Sequence, residues 1–144
     1  MADQHAGLSG REVREKLETR GIELNPGVPS SELDRWEARL GTKIDSVWRQ
    51  MYGAFNGFQG LVMDTRTAIC IWPIEQVHEE AANYRGAGGR LPFADYLLHS
   101  DFLMGDLSAA RNPIYYEYEG EIISASLTGF LQKLVTGGLD RITD

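Results

Sequence analysis

Apolar residues at positions 44, 47, 48, 51, 52 and 55 recur every three to four residues. This stripe of Ile44, Val47, Trp48, Met51, Tyr52 and Phe55 predicts an amphipathic helix opened by Asp45 or Ser46. Aromatic residues and methionine at helical spacing are the ordinary content of a core-facing stripe. Upstream, Leu33, Trp36 and Leu40 share one face of a helix that Ser30 or Ser31 can cap and Gly41 can stop in a left-handed conformation. Further upstream, "SGREVREKLETRG" carries only Val13 and Leu17 as apolar positions, with Glu12 and Lys16 spaced for a surface pair, which predicts a solvated helix resting on the core. "ELNPGVPSS" then reads as a connector, because two prolines and a glycine interrupt the pattern.

Beyond residue 60 the period changes. "AICIW" is apolar on both faces, Ala68, Cys70 and Trp72 alternating with Ile69 and Ile71, which predicts a covered, central strand. Trp72-Pro73 leads into a helix lined by Ile74, Val77, Ala81 and Tyr84, and "RGAGGR" ends it in a mobile loop. "PFADYLL", "DFLMGD", "IYYEY" and "EIISA" read as short strands divided by glycine, proline and polar residues. A tight turn at Glu119-Gly120 would place Tyr116, Tyr118 and Ile123 on one face of the last hairpin and Tyr115, Glu117 and Ser124 on the other. Ser126 caps a closing helix with Leu127, Phe130, Leu131 and Leu134 turned inward. Consecutive strands joined by short turns imply antiparallel pairing, so the expected fold is α+β: a single domain, mainly antiparallel sheet, packed with several helices.

At 144 residues, the chain has the length of one domain and can bury a core without disulfides or metals. No apolar run reaches the roughly 18 residues of a membrane span, and the first thirty residues are polar where a signal peptide would be apolar. One cysteine, Cys70, excludes an internal disulfide, and a cytoplasmic location is expected. With 21 acidic against 14 basic residues, the net charge of -7 disfavours direct nucleic-acid binding and leaves a basic partner open.

Catalytic chemistry has little to stand on. Of the three histidines, His5 falls in the N-terminal tail and His78 sits beside Glu79 and Glu80 on the expected wet side of its helix. His99-Ser100-Asp101, with Asp95 and Asp106 nearby, is the best set for a metal or a general base. Its spacing matches no strong metal signature, and inter-strand turns collect Asp, Ser and His for backbone hydrogen bonds. Cys70 lies in an apolar strand without electropositive neighbours, as an inert thiol would. "GAGGR" shares only its glycines with phosphate loops, since Leu91-Pro92 follows where a helix should begin. The tyrosines of "IYYEYEG" are flanked by glutamates, which repel a phosphate backbone. A non-enzymatic binding protein, with no cofactor and no metal, is the expectation.

"LDRWEARLGTKIDSVWRQMYGAFNGF" resembles the opening of the SUKH superfamily, named in part for the yeast regulator of cell-wall glucan synthesis. The matching positions are Glu37, Leu40-Gly41, the helix of Trp48 and Tyr52, and Asn56-Gly57, which the resemblance makes the helix-to-sheet turn. "WPIEQV", "LPFADYLLHSDFLMGD" and "IISASLTGFLQKLV" are similar in the same order, so the likeness covers most of residues 32 to 136. Two departures stand out: Ile44-Asp45 where Leu-Pro is usual, and a loop at 107–113 without a counterpart. The resemblance implies a SUKH-like α+β domain over 30–138, preceded by an N-terminal helix and connector at 1–29 and followed by a tail at 139–144. It also implies an immunity protein that neutralises a cognate bacterial toxin, often a nuclease. The alternative is a regulatory or scaffold module acting on an endogenous partner; a third is an enzyme using Asp95, His99, Asp101 and Asp106. For a toxin with a basic cleft, the candidate partner-binding residues are Asp101, Asp106, Tyr115, Glu117, Glu119 and Glu121, an acidic edge with an aromatic anchor. The competing reading of these charges is protection of a hairpin from edge pairing.

Overall fold

The computed structural model describes residues 8–84, 90–97, 100–118 and 120–136. His5, the glycine-rich loop at 85–89, His99, Glu119 and the tail at 139–144 lie outside the described residues. The fold is α+β. In chain order the elements are α1 (Gly10–Thr19), β1 (Leu24–Pro26), α2 (Ser30–Leu40), α3 (Ser46–Ala54), β2 (Phe55–Phe58), β3 (Ile69–Ile71), α4 (Ile74–Ala81), β4 (Arg90–Tyr96), β5 (Asp101–Asp106), β6 (Ile114–Tyr116), β7 (Ile122–Ser124) and α5 (Leu127–Thr136). A five-stranded antiparallel sheet runs β3-β4-β5-β6-β7, so every neighbour in the sheet is also the neighbour in sequence.

The helices form where their ends are satisfied. Ser9 and Glu12 make a reciprocal capping box on α1, Ser9 N–H donating to Glu12 Oε1 at 2.9 Å and Glu12 N–H donating to Ser9 Oγ at 3.2 Å. Glu12 is thereby drawn into the cap, and the surface pairs of α1 are Arg11–Glu15 and Arg14–Glu18. Its Val13 and Leu17 are completely buried in the common core. Gly41 ends α2 with φ of 71°. The cap of α2 differs from expectation: Pro29, fixed in extended backbone at φ -60°, occupies the N-cap, and Ser30 is already helical.

The stripe of α3 does pack the core. Trp48, Met51, Tyr52 and Phe55 are fully buried, with Val47 at the margin. Trp48 stands edge-on to Phe93 of β4 at 4.9 Å, and Phe93 stands edge-on to Phe130 of α5 at 5.6 Å, so one aromatic chain joins two helices through the sheet. Leu127, Phe130, Leu131 and Leu134 of α5 are buried as their spacing predicts, and Ser126 Oγ caps the helix by accepting from Gly129 N–H.

Three further readings change. The connector "ELNPGVPSS" contains β1, which pairs with β2 in a second, two-stranded sheet; Pro26 is tolerated because this pairing is short and irregular. Asn56-Gly57 lies inside β2 and not in a turn. Asn56 Oδ1 accepts from Ile74 N–H at 2.8 Å, capping α4, while a Cβ on Gly57 would fall 2.3 Å from Pro73 N. β3 is the edge strand of the large sheet and not a central one. Its full burial comes from β2 packed beside it and from the preceding turn, where Asp64 N–H donates back to Ile69 O. Double-sided burial therefore does not require a strand on each side.

Candidate functional site

β5, β6 and β7 alternate between two environments. Leu103, Gly105, Ile114 and Tyr116 face the core, and a Cβ on Gly105 would lie 2.7 Å from Trp48 Cζ2. The opposite face carries Asp106, Tyr115 and Ile122; Tyr115 lies opposite Met104 on one side and Ile122 on the other. Ile122 is 62% exposed. The β6–β7 turn is longer than the two residues predicted: Tyr116 N–H donates to Glu121 O, and Gly120, at φ 75°, donates its N–H to Tyr116 O. This extra length removes Tyr118 from the core face and leaves it 88% exposed, while Tyr116 and Ile123 remain buried as the register requires. Ser124, assigned to the outer face, is also buried, tucked against α5 at Gly129.

The six candidate residues divide into two groups. Asp101 and Asp106 occupy opposite ends of β5, about 17 Å apart along the strand. At one end, Asp101 Oδ1 accepts from Phe102 N–H and from Tyr118 N–H, both at 2.8 Å, which fastens the hairpin turn to β5. Glu117 is exposed, and Glu121 is exposed beside Ile122. Burial raises the Tyr84 hydroxyl above its ordinary range, and its hydrogen bond to Glu117 adds to this, so the turn after α4 lies beside Glu117. Glu119 lies outside the described residues. At the other end Asp106 is turned inward to local structure: its Oδ1 accepts from Ser108 N–H and Oγ–H, and its Oδ2 from Asn112 Nδ2. Burial works against the charge, but these bonds and the neighbouring Arg90 hold the carboxyl below its usual value. The single acidic edge is thus corrected to one carboxylate-rich turn holding Asp101, Glu117 and Glu121, with Asp106 spent on its own loop.

Between the two groups lies a concavity of about 400 Å³, lined by Arg90, Asp106, Asn112, Pro113, Tyr115, Gly120 and Ile122. Its far wall is the 107–113 loop, and that loop is held by α3. Asp45 N–H donates to Leu107 O at 2.7 Å, and Asp45 Oδ2 accepts from Ala110 N–H at 2.9 Å, the bond that chiefly holds its carboxyl below the ordinary range. Asp45 and the 107–113 loop therefore touch each other. A proline at 45 would have neither the N–H nor the carboxylate.

Among the described residues considered for catalysis, Asp95, Asp101 and Asp106 make hydrogen bonds within the fold. Asp95 is buried and accepts from Trp72 Nε1 at 2.7 Å; it lies opposite Phe102, near the Asp101 end of β5. Cys70 is enclosed in β3, and burial, with Asp95 nearby, pushes its thiol up to about 12. His78 is not fully on the wet side: its ring packs on Trp36 at 5.4 Å, and Arg39 covers Trp36 at 4.7 Å. Arg20 and Asp64 form a largely buried ion pair at 2.5 Å that ties α1 to the turn before β3. Sequence spacing missed this pair, as it missed Arg90, Asn112 and Pro113. For Ile122 a signal existed, since of two adjacent isoleucines in a strand only one can face the core.

No protein-family model matches the chain, and no curated protein matches it.

Proposed function

We propose that the chain is a non-enzymatic immunity protein that binds and neutralises a cognate bacterial toxin with a basic cleft, in the cytoplasm and without contacting nucleic acid itself. The observation that supports this best is the composition of one small surface. Tyr118 and Ile122, two of the most exposed large apolar side chains described, stand on the β6–β7 hairpin beside the carboxylates of Glu117 and Glu121. Apolar anchors rimmed by charge of one sign are what a steered protein interface needs: the charge accelerates encounter and the buried anchor slows departure. The net charge of -7 and the SUKH-like order of motifs favour the same reading.

Coexpression with the toxin encoded beside this gene tests it. The expected result is protection of the cell and recovery of a stoichiometric complex. A toxin that still kills and does not copurify contradicts the reading. Copurification of a housekeeping protein, from a gene with no toxin neighbour, would replace it with the regulatory-module reading.

A further inference from the structure

We propose that the concavity between the 107–113 loop and the β6–β7 hairpin seats one aromatic or long aliphatic side chain of a basic protein partner, with Asp45 as the residue that positions its far wall. This rests on the reading of the hairpin as a partner surface and adds the anchor it receives.

The volume of about 400 Å³ has room for a large side chain. Its chemistry selects an apolar one. Arg90 and Asp106 are directly paired across β4 and β5, so their charges offset each other, and the Arg90 stem adds apolar surface. Asn112 spends its Nδ2 on Asp106. Pro113, Tyr115, Gly120 and Ile122 supply the rest of the lining, and Tyr115 is half-buried. The rim selects the charge of the partner. Glu121 lies between Gly120 and Ile122, both on the cavity wall, and Glu117 is two residues beyond Tyr115. Cations flanking the inserted side chain meet these carboxylates. A second copy of this chain would instead set Glu117 and Glu121 against their own equivalents about a two-fold axis, in a molecule of net charge -7.

The wall is built, not incidental. Asp45 holds Leu107 and Ala110, Leu127 N–H donates to Ala110 O at 2.9 Å, and Leu107 and Ala110 are buried. The exposed end of the loop, Asn112-Pro113, is thereby presented to the cavity from two fixed points on α3 and α5.

The test uses the full chain and three synthetic peptides: tryptophan flanked by two arginines on each side, the same peptide with alanine at the centre, and tryptophan flanked by glutamates. Amide shifts in NMR titrations locate the site and give the affinities. The arginine-flanked tryptophan peptide is expected to shift Tyr115, Gly120 and Ile122 and to bind about tenfold tighter than either control, as one buried aromatic contact and the two rim charges require. Asp45→Ala should weaken it by a similar factor, and Ile122→Arg, on an exposed position that does not threaten folding, should abolish it. Equal binding of the alanine peptide, equal binding of the glutamate-flanked peptide, shifts confined to another surface, or dimerisation of the chain through Ile122 would each overturn the proposal. A neighbouring toxin that fails to bind while the tryptophan peptide fills the cavity removes the toxin reading alone. A toxin bound undiminished by Ile122→Arg removes the anchor alone.

Discussion

The two faces of β5–β7 are built from the same three strands and put to opposite uses. Inward, Gly105 lies against Trp48 and Ile114 with no room for a Cβ, Tyr116 packs on Tyr96, and Trp48 Nε1 is fixed by donation to Asp106 O at 2.8 Å. Outward, Tyr115 and Ile122 border a cavity, and Tyr118 stands in solvent. Packing on the first face is complete, whereas the second buries Met104 but leaves Tyr118 and Ile122 exposed. Substitutions should therefore separate into those that cost stability and those that cost binding.

The largest effect belongs inside. Trp48→Ala removes the side chain that links α3 to Phe93 and the Asp106 turn, and should destabilise by about 3–5 kcal/mol; urea unfolding followed by circular dichroism would show it. Gly105→Ala should cost about 1–3 kcal/mol in the same assay, since its Cβ meets a Trp48 ring that cannot move aside. Near-neutral stability for either variant would break the contrast between the faces.

Asp45 stands between the two. Its folded-state carboxyl lies below its ordinary value, so the stability it contributes is fully present above the unfolded pKa of about 3.9 and is lost as the pH falls through the lower folded value. Asp45→Asn should be less stable than the wild type at neutral pH, with the difference closing under acid; unfolding midpoints from neutral pH down to about 2 would follow it. A pH-independent difference would mean that the charge on Asp45 does not hold the loop. The smallest stability effect lies outside: Tyr118→Ala and Ile122→Ser should each change stability by no more than about 0.5 kcal/mol. A larger loss in thermal melts would show these residues to be structural after all.

The same contrast explains how far the chain is legible. The α3 stripe and the face of α5 can be read because a 3.6-residue period is a local property, and so can the run of antiparallel strands. β3 misleads because its burial depends on β2 and on the Asp64 turn, which no local pattern announces. Tyr118 departs from the face its alternation predicts because turn length decides which way each side chain near the turn points, and a turn closed between Tyr116 and Glu121, longer than a Glu119-Gly120 turn, takes it out of the strand. Of the candidate surface, Tyr115, Glu117 and Glu121 are legible as an aromatic among exposed acids. The cavity is not, because Arg90, Asn112 and Ile122 meet only through strand register, and its wall depends on a bond from Asp45 to a residue 65 positions away.

The central claim is that the carboxylate-rich turn of the outward face captures a basic toxin. Its most direct test is the association rate of the neighbouring toxin, measured by stopped flow across a range of salt concentrations, for the wild type and for a Glu117→Lys, Glu121→Lys double variant shown to be folded. The wild type should associate fast at low salt and slow down steeply as salt is added, and the double variant should associate about tenfold more slowly at low salt with a flattened salt dependence. Identical rates and identical salt slopes for the two proteins would contradict the account.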